Sequence, residues 1–136
     1  HITPDLLRTA FPTQDTAHQV VIYGEGYGAG IQKGGGDYSL EKRFIIFDVT
    51  VSGQGGRPWW LSDENVRGVG ARLGLDVVPL IGELTLAEAT EMAHVGFPSR
   101  LNEGKARAEG LVGRPIEALF DKKGHRLIVK IKTRDF

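Results

Sequence analysis

Runs of β-branched and aromatic residues predict short strands along most of the chain. The clearest run is Arg43 to Ser52 (RFIIFDVTVS), which ends at the turn GQGG. Shorter runs of this kind occur at six other places: His18–Tyr23, Arg57–Leu61, Val77–Ile81, Glu109–Val112, Ile116–Phe120 and Arg126–Lys132. We expect Arg57–Leu61 to pair antiparallel with RFIIFDVTVS at a sheet edge. Ile116–Phe120 and Arg126–Lys132 should flank the turn DKKG as a hairpin.

Helical spacing and capping residues predict three helices. Thr3, Pro4 and Asp5 form an N-cap and a first turn for a brief helix. A second helix runs from Ser62 to about Leu73, and a third follows a capping box whose first residue is Thr85. Strands outnumber helices without regular alternation, so the predicted class is α+β with mainly antiparallel sheets and a few helices.

Composition narrows the class of protein. The chain has 136 residues, of which 40% are hydrophobic, and this suits a single compact domain over residues 1–136. It has no apolar run long enough for a membrane helix, so we expect a soluble protein without a membrane partner. The absence of cysteine excludes disulfides and thiolate metal sites.

Charge is unevenly distributed although its total is zero. The 17 basic residues cancel 17 acidic ones over the whole chain. From Glu109 onward, seven basic residues stand against four acidic ones, which makes this end the candidate phosphate-facing surface. The alternative is a solvated hairpin with exposed lysines.

Lys130 and Lys132 are candidate phosphate ligands. Side chains two apart lie on one face of a strand, so the two ammonium groups can bind the same phosphate chain. Upstream, Glu109 precedes a glycine that permits close backbone approach, and a carboxylate beside phosphates is a usual ligand of Mg²⁺. An ordinary amphipathic strand and a surface glutamate are the alternatives for these features.

Three further residues are candidates for nucleoside binding. Phe47 could stack on a base while Asp48 faces the other side of the strand, although a core position is the alternative for Phe47. Glu25 lies between two glycines after a strand and could accept hydrogen bonds from a ribose, or belong to a simple turn. The loop GEGYGAGIQKGGGDY must bend sharply or lie close to another group, but it matches neither phosphate-loop pattern.

Taken in order, these segments resemble the later motifs of phage-type ATP-dependent RNA ligases, in the covalent nucleotidyltransferase superfamily. YGEGYGAGIQKGGG resembles the family's GIQKG element, and RFIIFDV resembles its adenine-stacking motif. EGLVGRP and IVKIKTRDF resemble its metal-binding and phosphate-binding motifs. The resemblance implies an adenylyltransferase core, described as ATP-grasp-like or nucleotidyltransferase.

The resemblance also implies roles and cofactors. Glu25 would contact the ribose of ATP, Phe47 would stack on adenine, and Asp48 would support the pocket. Glu109 would bind Mg²⁺ or Mn²⁺, and phosphates would be engaged by Arg114, Lys130 and Lys132. The implied partners are RNA ends, in a nicked duplex or a broken RNA, within the cytoplasm of a phage-infected or bacterial cell.

One element of the family pattern is missing. The nucleophile lies in Lys-x-Asp/Asn/His-Gly, and neither Lys33, Lys105 nor Lys122 has that context. We therefore expect an N-terminally truncated domain, inactive in self-adenylation, with the lysine on an upstream segment or a partner chain. A DNA ligase, a capping-type nucleotidyltransferase and a non-catalytic nucleotide- or RNA-binding module are the alternative functions.

Overall fold

The structure, a computed structural model, describes residues 2–12, 19–53, 55–101 and 105–136. The chain divides into two compact units, His1–Pro79 and Leu80–Phe136. Both contain helices and sheet, and the strand pairs are mostly antiparallel, so the predicted α+β class is confirmed. The proposed single domain over residues 1–136 stays a prediction.

The first unit is a four-stranded sheet with two α-helices in its described residues. Its elements, in chain order, are α1 (Pro4–Ala10), β1 (Gln19–Tyr27), a 3₁₀ turn (Gly35–Asp37), β2 (Arg43–Ser52), β3 (Trp59–Trp60), α2 (Asp63–Leu73) and β4 (Asp76–Val77). Strand β2 is central, because β1 pairs along one of its edges and β3 and β4 share the other. The pairing of β4 is parallel and the other two pairings are antiparallel.

The core of this unit lies between one sheet face and the helices. Ile46 and Val49 of β2 are fully buried, and they belong to one cluster with buried residues of both helices. The cluster consists of Ala10, Ile46, Val49, Val66, Val69 and Leu73. Burying side chains of this size is the main source of stability in a small unit.

The glycine-rich loop folds back on itself. The backbone N–H of Ala29 donates to the carbonyl of Ser39 at 2.8 Å, which closes the loop at its base. A Cβ atom on Gly28 would overlap the backbone of Glu41, and one on Gly35 would overlap the backbone of Gly28. The loop therefore bends and also makes close contacts, those of Gly28 and Gly35 being with backbone atoms of Glu41 and of Gly28 itself.

The second unit contains α3 (Leu86–Val95), β5 (Gly110–Gly113), β6 (Val129–Lys132) and a 3₁₀ turn (Thr133–Asp135). The two strands pair antiparallel, and α3 packs against both. Ala93 is completely buried. None of the helices formed by the described residues has the length and apolar content needed to cross a bilayer.

Most predicted elements form, with corrected ends. RFIIFDVTVS is a strand at its predicted bounds, and Thr3, Ser62 and Thr85 cap the three helices. The strand predicted at His18–Tyr23 instead runs to Tyr27, and His18 lies outside the described residues. The predicted hairpin shrinks to a bridge between Phe120 and Arg126, because β6 pairs with β5 instead of with Ile116–Phe120.

Candidate functional site

One face of the first sheet carries two of the predicted nucleoside-binding residues. Tyr23 is paired with Asp48, and Glu25 is paired with Ile45. Because paired residues of antiparallel strands point to the same side, and residues two apart do likewise, Tyr23, Glu25 and Asp48 share one face. This face is opposite to the one that carries Ile46 and Val49. Glu25 is exposed on it, as a ligand contact requires.

A β-bulge sets the position of Phe47. The register passes from Tyr23 and Asp48 to Gly24 and Ile46, so Phe47 is the extra residue on β2. Its side chain remains 38% exposed although both neighbouring residues are buried. The core position considered as the alternative for Phe47 is therefore not observed, and its ring is partly exposed at the surface.

Asp48 is buried beside a pair of aromatic rings. Trp60 is the β3 partner of Thr50, and its ring centroid lies 5.3 Å from that of Tyr23. The two rings lie on the face of the sheet that also carries Asp48 and Thr50, and both of these residues are buried, with Asp48 4% exposed. Asp48 is therefore buried on this face, whereas Glu25 and Phe47 are exposed.

A polar cluster that the motifs did not indicate lies on the same face. The Tyr27 hydroxyl donates to Asp76 at 2.9 Å, and the Arg43 guanidinium forms an ion pair with Asp76 at 3.0 Å. Burial raises the pKa of Tyr27, and the hydrogen bond to Asp76 raises it further. The cluster joins β1, β2 and β4. The sequence alone does not indicate this cluster, because Asp76 is 33 residues from Arg43 along the chain and becomes its neighbour only when β4 pairs with β2.

The second unit holds the predicted phosphate and metal residues on a two-stranded ladder. Lys130 is paired with Val112 and Lys132 with Gly110, so the two lysines share one face as predicted. A Cβ atom on Gly110 would overlap the backbone of β6, and its φ of +154° is one that side chains disfavour. Glycine at this position allows Lys132 to approach the start of β5 closely.

Four residues line an open depression at this end of the ladder, with a volume of about 400 Å³: Glu109, Lys132, Thr133 and Arg134. The backbone N–H of Thr133 donates to the carbonyl of Glu109 at 2.9 Å, which fixes the carboxylate-bearing residue beside the end of β6. The Lys132 N–H donates to Asp135 at 3.1 Å and starts the 3₁₀ turn that presents Arg134. Thr133 and Arg134 were not predicted, although both lie in the segment resembling the phosphate motif.

Arg114 and Lys130 are near this depression in sequence but do not line it. Arg114 is exposed immediately after β5, and Lys130 is exposed two residues before Lys132. Within residues 2–12, 19–53, 55–101 and 105–136, no three carboxylate or histidine side chains come together as a metal cage. Glu109 therefore fits a divalent cation only where phosphates and water supply the other ligands, which is the usual environment of Mg²⁺.

The predicted residues thus form two groups, one in each unit. Glu25, Phe47 and Asp48 are brought together by the pairing of β1 with β2. The second group is Glu109, Arg114, Lys130 and Lys132, around β5 and β6. The first group combines an aromatic ring with carboxylates that can accept hydrogen bonds from a ribose, as a nucleoside requires. The second group consists of charged side chains, as phosphates and a metal ion require.

The sequence of the chain also matches a known protein family. The family model described as RNA ligase matches residues 2–132, which is nearly the whole chain. No curated protein matches.

Proposed function

Because the chain belongs to the RNA ligase family, we propose that it is the nucleotide-binding core of an ATP-dependent RNA ligase. The reaction joins a 5′-phosphate and a 3′-hydroxyl end of RNA, in a nicked duplex or a broken strand. It proceeds through an enzyme adenylate and an RNA adenylate, in the cytoplasm of a bacterial or phage-infected cell.

The observation that carries this proposal is the depression in the second unit. Its lining combines one acidic residue, Glu109, with two basic residues, Lys132 and Arg134. Lys132 and Arg134 would offset the negative charge of a polyphosphate or of an adenylated RNA end. Bound Mg²⁺ or Mn²⁺ would supply further charge neutralisation, with Glu109 as its protein ligand.

The first unit supports nucleoside binding. Glu25 is exposed and can accept a hydrogen bond from a ribose hydroxyl, and the bulge leaves Phe47 accessible for stacking on adenine. Asp48 supports the pocket from its buried position. In the second unit, Arg114 and Lys130 are exposed to solvent, where phosphates can reach them.

The nucleophile is proposed to come from outside this chain. A lysine attacks ATP only when its pKa is depressed and its position fixed, and the motif that provides this is missing here. The last reaction step does not need that lysine, since a 3′-hydroxyl displaces AMP from an RNA that is already adenylated. This step isolates the contribution of the residues present.

The test uses this chain with Mg²⁺ and a nicked RNA duplex whose 5′ end is already adenylated. We expect joined product, and a fall of at least about tenfold in its rate for Glu109→Gln and for Lys132→Ala, as for loss of charge stabilisation. Lys105→Ala is the matched control, because Lys105 is exposed and does not line the depression. Equal rates for all three variants would refute the residue assignment.

The same assay separates the alternative functions. Sealing of adenylated DNA nicks in preference to RNA would indicate a DNA ligase, and preferential binding of GTP would indicate a capping-type enzyme. Binding of AMP and RNA without any joining would indicate a non-catalytic module. Intact mass after incubation with ATP and Mg²⁺ completes the test, and we expect no covalent AMP because the nucleophile motif is missing.

A further inference from the structure

Trp59 is unusually exposed for its size. Its side chain is 75% accessible, whereas a tryptophan ordinarily buries most of its large apolar surface. The adjacent Trp60 is half-buried and packs on Tyr23. Trp59 pairs with Val51 and so points to the opposite face of the sheet from Trp60. The chain thus presents one indole ring to solvent and uses the other for packing.

The edge that carries Trp59 is poorly suited to pairing with another strand. Strand β3 has only two residues, and its neighbour Pro58 has no N–H to donate to a ladder. Proteins that bind by strand addition need a longer row of free backbone groups. An occupant of this edge would therefore interact with side chains.

The surroundings of Trp59 favour an anionic ligand. Arg57 is exposed two residues earlier, directly upstream of β3. No acidic residue occurs between Asp48 and Asp63 in the sequence. The preceding turn is rich in glycine, and a Cβ atom on Gly55 would meet nothing within 4 Å, so the surface there is open.

We propose that Trp59 and Arg57 bind one unpaired nucleotide of the RNA substrate, the indole stacking on its base and the guanidinium contacting its phosphate. This combination of an aromatic ring and a cation is typical of single-strand binding, which tolerates any base because every base has a π face. The proposal rests on the proposed RNA ligase function and adds a contact outside the two groups of predicted site residues.

Fluorescence provides a direct test, because Trp59 and Trp60 are the two tryptophans of the chain. Trp60→Phe leaves Trp59 as the emitter, and Trp59→Phe leaves Trp60. We expect a single-stranded oligoadenylate with a 5′-phosphate to quench the emission of the first variant and to change that of the second little. An abasic oligonucleotide of equal length should quench weakly, because it has phosphates but no bases to stack.

Binding of the same oligoadenylate, labelled and followed by anisotropy, tests both side chains. Loss of base stacking in Trp59→Ala should weaken binding by about 5- to 150-fold, and Trp59→Phe should recover part of it. Leu40→Ala is the matched control, since Leu40 is an apolar residue of the same unit that is 87% exposed. In Arg57→Ala, the slope of log affinity against log salt should fall by about 0.7, the value for one phosphate contact in a single strand.

The outcomes separate this inference from the proposed function. If the chain joins adenylated RNA and binds the oligoadenylate, but Trp59→Ala has unchanged affinity, the stacking contact is refuted and the ligase proposal stands. Quenching of Trp59 that depends on protein concentration without RNA would also refute it, in favour of contact with a second copy. If the chain neither binds nor joins RNA, both proposals fail.

Discussion

Gly110 allows the backbone at Lys132 to lie close to the start of β5, because it has no side chain. Its α-carbon lies against the backbone of Ile131 and Lys132, in a conformation with φ of +154°. We predict that Gly110→Ala destabilises the protein by about 1–3 kcal/mol, through the strained backbone and the overlap with β6. It should also slow joining of adenylated RNA, because Lys132 must shift.

Gly113→Ala is the control for this prediction. Gly113 ends the same strand, and a Cβ atom there would meet nothing within 4 Å. Thermal unfolding and the joining rate of the two variants should therefore differ, with Gly113→Ala close to the wild type. Similar unfolding temperatures for both variants would mean that the close approach at Gly110 has no energetic weight.

Tyr27 gives the first unit a sensitivity to alkaline pH. Its pKa is raised by burial and by Asp76, so the folded state favours the neutral phenol. A group with a raised pKa contributes stability that is complete below its unfolded value of about 10 and is lost as pH rises through the folded value. We predict that unfolding free energy falls with pH in this alkaline range, and falls less steeply in Tyr27→Phe.

Urea titrations at several alkaline pH values would measure this difference. Tyr23→Phe is a suitable control in the same unit, as it removes a phenol hydroxyl from a ring that packs on Trp60. Parallel pH profiles for the wild type and Tyr27→Phe would contradict the prediction. None of the motifs pointed to Tyr27, because its partner Asp76 becomes a neighbour only through the parallel pairing of β4 with β2.

At the scale of elements, the turn after Phe120 is organised by one carboxylate. Asp121 accepts the backbone N–H groups of Lys123 and His125, each at 2.8 Å, and contacts the His125 ring at 2.9 Å. The bonds from His125 hold the pKa of Asp121 below its ordinary value. A lowered pKa contributes stability that is present above the unfolded value and is lost as pH falls through the folded value.

We predict that acid opens this turn before the rest of the unit. The backbone N–H groups of Lys123 and His125 should lose protection from hydrogen exchange, relative to their intrinsic rates, as pH falls below about 4. Asp121→Asn should remove the pH dependence of this protection. Glu117→Gln is the control, since it changes a nearby carboxylate without touching the turn bonds that Asp121 accepts. Unchanged protection of the wild type in acid would contradict the prediction.

Residues close together in the sequence predicted where helices and strands begin better than they predicted which strands pair. The helix starts at Thr3, Ser62 and Thr85 were predictable because a cap acts on the backbone within three residues of it. The partner of β6 was not, since Ile116–Phe120 and Glu109–Val112 have similar composition and the choice between them depends on distant packing. The shared face of Lys130 and Lys132 follows from local strand geometry and was predicted correctly. The depression beside Lys132 depends on which strand pairs with β6 and was not predicted.

At the scale of the whole molecule, the two units differ in how much core they possess. The described cluster of buried apolar residues, from Ala10 to Leu73, belongs entirely to the first unit. In the described part of the second unit, Ala93 is the buried apolar residue. Composition alone could not show this imbalance, because both units contain many apolar residues and differ in how many they bury.

We predict that residues 1–79 fold alone and that residues 80–136 do not. Residues 80–136 bury too little apolar surface to offset the conformational entropy that the chain loses on folding. Thermal unfolding followed by far-ultraviolet circular dichroism should be cooperative for the first fragment and show no cooperative transition for the second. A cooperative transition in the isolated 80–136 fragment would contradict this assignment of stability.

The bulge at Phe47 also restricts how the sheet can assemble. Without it, β1 could slide along β2 by two residues and keep every side chain on its original face. With an extra residue at one place on β2, any such slide would move the bulge away from Phe47 and set buried Asp48 or Ile46 on the wrong side. The bulge therefore fixes the register of β1 on β2, and forms of this sheet with a shifted register should be rare during folding.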